Sequence, residues 1–305
     1  MGQQWDPEID VSEGLARELI ASQFPELAPI DLERFGHGWD NAAFLVNGAY
    51  IFRFPRRTIA APLIDIEARI LPLIAPHLPI PIPLPRYVGR PERRYPWPFL
   101  GYEQLAGNSA CGARLDAQAA ALLAPALGEF LRALHAIDPR AAIECGLEPD
   151  RLGRLDHAKR WPLVLQRFSE LQDADFIADA NLFMDFMARV APDGTAEGRS
   201  IVHGDLYARH LLLDARGQLA GIIDWGDIHL GDPAVDLMVA HLVLPAAAHA
   251  VFLASYGPVD ERTWEVAKYR AIYSAVLVID YGQKTGDDDV RDAGLVALGY
   301  IGETI

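Results

Sequence analysis

Apolar and polar positions recur with two different periods along the first hundred residues. Over 11–23 apolar side chains return every three or four positions, which predicts an opening helix capped by Ser12. A stretch at 30–35 leads to two apolar and aromatic runs of strand length at 42–47 and 50–54. Asn47-Gly48 separates the last two, and that dipeptide tolerates the positive φ of a tight turn, so 42–54 reads as a β-hairpin. Helical spacing returns over 64–75, with Ile66, Ile70, Leu73 and Ile74 on one face. A proline-studded segment at 76–85 leads to expected strands near Tyr87-Val88 and at 99–104. Strand, strand, helix, strand, strand is the order of a small antiparallel sheet carrying one helix.

Beyond residue 105 the pattern turns mainly helical. An alanine- and leucine-rich helix is expected over 116–136, with Asp116 as its cap, and two more over 157–170 and 175–190. A β-rich island interrupts at 200–202, 211–213 and 219–223, with Arg216-Gly217 turning between the last two runs. Helices resume from about 233. The expectation is an α+β chain of two lobes: a sheet-bearing lobe at 1–105 and a mainly helical lobe at 106–305. No repeat or low-complexity linker interrupts either.

Composition narrows the classes. The 305 residues are 51% hydrophobic and 23% charged, an ordinary globular balance. Mean hydropathy is +0.08, and no apolar stretch reaches the roughly 18 residues a membrane span needs. The opening Met1-Gly2-Gln3-Gln4-Trp5-Asp6 lacks the basic and apolar regions of a signal peptide, so a cytoplasmic protein is expected. Two cysteines, Cys111 and Cys145, make neither a disulfide framework nor a zinc site of usual spacing. A net charge of −15 repels nucleic acid. It suits a cationic small molecule, or simply keeps the surface soluble. Of 27 lysines and arginines only Lys159, Lys268 and Lys284 are lysine, so the first half has none.

The chain carries no G-x-x-x-x-G-K-[ST], H-E-x-x-H, G-x-S-x-G or C-x-x-C. Gly36-His37-Gly38-Trp39-Asp40-Asn41 begins like a glycine-rich phosphate loop and lacks the third glycine. The informative stretch is 201–237, IVHGDLYARHLLLDARGQLAGIIDWGDIHLGDPAVDL. Asp205 lies in a polar loop after one apolar strand, and Asp224 ends another. Carboxylates at facing strand ends can converge on a metal-bound phosphate. One would receive a hydroxyl proton, while the other and a side chain after the loop hold magnesium.

That stretch resembles the signature of the aminoglycoside phosphotransferase family, distant relatives of protein kinases: H-G-D-x-x-x-x-[NH], then I-D-[WF]. Gly231-Asp232-Pro233 and Asp236 fit the same pattern, as does a hinge Gly101-Tyr102-Glu103-Gln104-Leu105. The resemblance covers nearly the whole chain and implies a bilobal, protein-kinase-like fold. It further implies that Asp205 is the base, that His203 is structural, and that Asp224 binds Mg2+. Asp232 and Asp236 would brace the loop after Asp224. His210 stands where the second metal ligand is usually asparagine, as in macrolide phosphotransferases and in the branch acting on the 2″-hydroxyl of aminoglycosides. Arg53 stands where the family has a lysine, with Glu67 as its helix partner. Gly36, Gly38, Glu103 and Leu105 would complete the nucleotide site, and Asp227 would face substrate.

The implied activity is transfer of the γ-phosphate of ATP or GTP to a hydroxyl of an aminoglycoside or macrolide. The two other readings are a metabolic kinase of a sugar or alcohol, and a degenerate pseudokinase that acts by interaction. ATP and GTP both stay open at this point, as does the oligomeric state.

Overall fold

The computed structural model describes residues 8–37, 41–112, 117–177, 179–194 and 200–305. They fall into two compact units. One comprises Met1–Pro76, Ile82–Leu105 and Ala141–Leu147, the other His77–Pro81, Ala106–Arg140 and Glu148–Ile305.

The first unit opens with α1 (Glu13–Gln23), whose Ser12 hydroxyl accepts from the Leu15 N–H. Its sheet contains β1 (Leu32–His37), β2 (Asn41–Val46), β3 (Tyr50–Pro55), β4 (Pro85–Gly89) and β5 (Phe99–Glu103), in the order β1-β2-β3-β5-β4. All four pairings are antiparallel. Asn47 and Gly48 take φ of 54° and 61°, the doubly positive turn expected of the β2–β3 hairpin. The Asn47 side chain ties that turn down, accepting from the Asp31 N–H and donating to the Leu27 carbonyl, both at 2.8 Å. Phe44, Phe52, Phe54, Tyr95 and Phe99 are fully buried against the sheet. Between β3 and β4 runs α2 (Ala61–Ile74), which begins three residues earlier than its periodicity suggests, with Pro62 in the first turn. Its buried face is Ile64, Glu67, Ile70, Leu71 and Ile74, whereas Leu73, expected inside, is 38% exposed. The stripe includes a carboxylate, so an apolar pattern alone put the face slightly off.

The second unit is built on α3 (Ala117–His135), α5 (His157–Asp173), α6 (Asn181–Val190), α7 (Ala234–Val243), α8 (Ala246–Tyr256), α9 (Glu261–Thr285) and α10 (Asp288–Gly302). The short α4 (Arg140–Glu144) falls mostly with the first unit. Helix α6 starts at Asn181 rather than at 175. Asp175 has φ of 57°, which no helix interior accepts, and the Asp179 carboxylate accepts from the Asn181 N–H just ahead of the first turn. Among the helices lie β6 (Asn108–Ser109), β7 (Ser200–Val202), β8 (Leu211–Leu213), β9 (Leu219–Ile222) and β10 (His229–Gly231). They pair as β6-β8-β9 and β10-β7. Central to this unit, α9 buries thirteen residues on several sides, among them Lys268, Tyr269, Arg270 and Tyr273. No helix among the described residues is long and apolar enough to cross a membrane.

Candidate active site

Strand β7 is apolar and buried, and it delivers the chain into His203-Gly204-Asp205. The loop is held from several directions. Asp236, in the first turn of α7 and fully buried, accepts from the backbone N–H of His203 at 2.7 Å and of Gly204 at 2.8 Å. His135 Nε2 lies 3.2 Å from the same carboxylate. Burial alone would raise the Asp236 carboxyl, but the His135 hydrogen bond and charge and the Gly204 N–H hold it below its ordinary range. The sequence reading placed this brace after Asp224. The structure puts it on the turn before Asp205, while Asp232 accepts from the Ala234 N–H at the start of α7.

His203 is likewise fully buried. Its Nε2 lies 3.0 Å from the Ile223 carbonyl and so carries the proton, while Nδ1 accepts from the Asp205 N–H at 3.3 Å. Burial pushes its pKa down to about 4, so the ring stays neutral. Gly204 has φ of 89°, and a Cβ there would come within 2.4 Å of the Asp227 carbonyl. The glycine is therefore obligatory. Arg154 Nε donates to the Gly204 carbonyl at 3.0 Å. Every peptide leading to Asp205 is thus tied, and its side chain remains 35% exposed.

His210 follows on a single turn, 95% buried at its side chain. Its Nδ1 is 2.7 Å from the Asp205 backbone carbonyl, a contact only an N–H donor can make. In the neutral ring the lone pair is then on Nε2, which lies 3.4 Å from Asp224 Oδ2. Asp205 Oδ2 is 3.7 Å from Nδ1 on the other side. The two carboxylates expected to work together flank one imidazole. The Ile223 N–H donates to the His210 carbonyl, so the β8–β9 pairing carries this register to Asp224.

Asp224 sits in the left-handed region, φ 63° and ψ 68°, with half its side chain exposed. Aspartate is one of the few residues that enter this region, at a cost of about 1–2 kcal/mol. Next to it Trp225 is fully buried, donating from Nε1 to the Ile222 carbonyl at 3.0 Å and packing on His203 and Phe130.

Asp224 offers the oxygen donor that Mg2+ prefers, while the His210 imidazole beside it is a softer ligand than Mg2+ usually takes. The Nδ1–H bond to Asp205 leaves Nε2 of His210 as a ligand atom beside the Asp224 carboxylate, the orienting hydrogen bond that ligating histidines use. Among the described residues no group of three or more His, Cys, Asp or Glu gathers for a metal.

Asp227, expected to face substrate, is already engaged. Its Oδ1 lies 2.5 Å from Arg154 Nη2, and Arg154 Nη1 lies 2.6 Å from Asp150. Burial, opposed by Arg154 and reinforced by Asp205 and Asp224, raises the Asp227 carboxyl. Arg154 is 5% exposed and joins Asp150, Gly204 and Asp227. Reading along the chain did not reveal it, since its partners lie up to 73 positions away.

In the first unit, Arg53 on β3 meets Glu67 on α2 at 2.8 Å, with side chains 9% and 2% exposed. Glu103 ends β5 and is ion-paired with Arg86 on the exposed surface. The Gln104 N–H donates to the Ala49 carbonyl at 2.8 Å, and Leu105 is half-buried. Gly36 lies in β1 opposite Ala43, beside a register shift, and Gly38 is outside the described residues.

The model of the "Phosphotransferase enzyme family" matches residues 31–270. Viomycin phosphotransferase of Streptomyces vinaceus is 29% identical over 100 residues, 32% of this chain and 34% of that protein. The uncharacterized protein YcbJ of Bacillus subtilis (strain 168) is 28% identical over 105 residues, 33% and 34% of the two chains. These matches span about a third of the curated relatives' length. Solved structures align over far more. The GDP and kanamycin complex of APH(2")-IIia has TM-score 0.67 and 25% identity, covering 95% of this chain and 98% of that one. Macrolide 2'-phosphotransferase MphH from Brachybacterium faecium, as apoenzyme, has TM-score 0.57 and 25% identity over 88% and 91%. The fold is therefore kinase-like, a small antiparallel sheet followed by a mostly helical remainder. The chain belongs to the phosphotransferase enzyme family.

Proposed function

We propose that this protein transfers the terminal phosphoryl group of a nucleoside triphosphate to a hydroxyl of a small molecule. One observation carries the reading: Asp205, on a loop tied at each peptide, and Asp224 flank the same imidazole of His210. In the proposed step the acceptor oxygen bonds to the γ-phosphorus and the β–γ bridging oxygen leaves with its electron pair. The hydroxyl proton passes to the Asp205 carboxylate. Asp224 and His210 would hold Mg2+, which would neutralise charge on the β- and γ-phosphates. Arg53, kept in place by Glu67, would bind phosphate oxygens in place of a lysine, and a guanidinium can do so with two parallel hydrogen bonds. Gly36, Gly38, Glu103 and Leu105 would complete the nucleotide site. ATP or GTP would serve as donor, and GDP is bound in one structural relative.

Acceptors of the aminoglycoside or macrolide kind follow from the relatives, one of which is a kanamycin complex. A metabolic sugar or alcohol kinase is the second reading, because one fold hosts several acceptor chemistries. The deciding assay compares wild type with Asp205→Asn in magnesium-dependent triphosphate hydrolysis and in transfer to aminoglycosides, macrolides and simple sugars. Removing a general base lowers turnover by about 10²–10⁴-fold. Equal hydrolysis by both proteins would overturn the enzymatic reading and leave an interaction protein.

A further inference from the structure

The peptide between Gly204 and Asp205 is the last rigid plane before the base, and it is held at both ends. Its N–H donates to His203 Nδ1 at 3.3 Å, and its carbonyl accepts from Arg154 Nε at 3.0 Å. The same guanidinium reaches the other turn. Its Nη2 donates to Oδ1 of Asp227, which closes the single turn that follows Asp224. Nη1 donates to Asp150 at 2.6 Å. One planar group thus spans the loop of Asp205 and the turn of Asp224.

Arg154 is itself anchored. Asp150 accepts from the Arg154 N–H through Oδ2 and from the Leu152 N–H through Oδ1 at 2.9 Å, folding its own loop around the arginine. Arg160 on α5 donates from Nε to the Gly153 carbonyl at 2.9 Å. Burial opposes the Arg154 charge, but Asp227, Asp150 and Asp205 outweigh it and raise its pKa. At 5% exposure the side chain is too enclosed to meet a substrate, so it acts through its partners. A rigid fork meets three acceptors in different directions, which one ammonium on a flexible stem does not. A second link, from His203 Nε2 to the Ile223 carbonyl at 3.0 Å, reaches the residue before Asp224. Losing Arg154 therefore loosens the two turns without separating them. The looseness matters because transfer needs the acceptor oxygen, held at Asp205, in line with a phosphate held through Asp224.

We propose that Arg154 is a positioning residue for phosphoryl transfer: by tying the Gly204 carbonyl to the Asp227 carboxylate, it sets where Asp205 stands relative to Asp224. It contributes to turnover and not to nucleotide affinity. This deepens the phosphotransfer reading and rests on it.

The test uses the full chain with kanamycin, erythromycin and glucose as acceptors, and compares Arg154→Lys with Asp227→Ala. The second variant cuts only the leg to the Asp224 turn, at a side chain 40% exposed, and so guards against a fold lost with the arginine. In both, calorimetric affinity and stoichiometry for Mg2+ with the imido analogues of ATP and GTP stay close to wild type. Meanwhile kcat for whichever acceptor takes phosphate fastest falls about tenfold to a hundredfold, the loss a misplacement of about 1 Å produces. KM for that acceptor changes less than kcat. Transfer also falls more than triphosphate hydrolysis, because a free water can follow a displaced carboxylate and a bound hydroxyl cannot. Where none of the three accepts phosphate, the same split is read from hydrolysis, with kcat falling while nucleotide binding holds. A merely structural role would instead lower every activity in step with the stoichiometry of nucleotide binding. The proposal is overturned by that parallel loss, by kcat close to wild type in either variant, or by nucleotide affinity falling as far as kcat. Failure of the phosphotransfer reading looks different and appears in wild type itself: absent magnesium–nucleotide binding, or hydrolysis no faster than that of Asp205→Asn.

Discussion

Asp205 and Asp224 approach His210 from opposite sides, and different physics holds each. The Asp205 loop is a closed hydrogen-bond network, with Asp236 and His203 fully buried and Gly204 shaped to let the chain pass. The Asp224 turn relies instead on backbone strain anchored by Trp225, and its side chain is half exposed. A group that must meet one proton at one distance benefits from rigid placement. A ligand to a hydrated ion can remain near solvent, because water and phosphate supply the rest of the shell.

The largest test of that contrast is Asp236→Ala. It strips the acceptor from two buried N–H groups and from His135, so stability should fall by about 3–5 kcal/mol, the cost of breaking a buried polar network. Urea denaturation measures it, and a loss within 1 kcal/mol would mean the loop stands without its brace.

Acid should act on the same loop. His203 titrates near 6.5 when unfolded and near 4 when folded, so between those values the unfolded chain binds the extra proton. Stability therefore declines as pH falls from about 6.5 toward about 4 and recovers as pH rises. Burial depresses His229, His241 and His249 in the same direction. His203→Gln should flatten part of that slope in thermal melts across the window, while an unchanged slope would assign it to the other histidines.

The smallest effect belongs to the turn. Asp224→Gly relieves the left-handed backbone and should raise stability by about 0.5–1 kcal/mol, whereas Asp224→Ala lowers it by a similar amount. Both should abolish magnesium-dependent nucleotide binding by calorimetry. If glycine stabilises no more than alanine, strain at this turn is not what sets its energy.

Local features were the ones legible in the sequence. Asn47-Gly48 encodes its turn in its own backbone, and Ser12 caps its helix within three residues. The HGD stretch and the IDW stretch stood out because the residues of each lie within a few positions of one another and resemble a family signature. What escaped depends on distant partners. Strands β6 and β10 are two and three residues long, set by pairing with β8 and β7 rather than by any periodicity. Asp236 was noticed but assigned to the wrong loop, since sequence order does not say which peptides α7 faces. Arg154 gives no signal along the chain, and only the fold shows it saturated with partners.

The arginine at position 53 has a chemical corollary. A buried amine loses its proton readily and attacks acylating reagents, whereas a guanidinium does neither. Strand β3 therefore carries no amine, and amine-seeking acyl-phosphate labels built on nucleotides should find no target there.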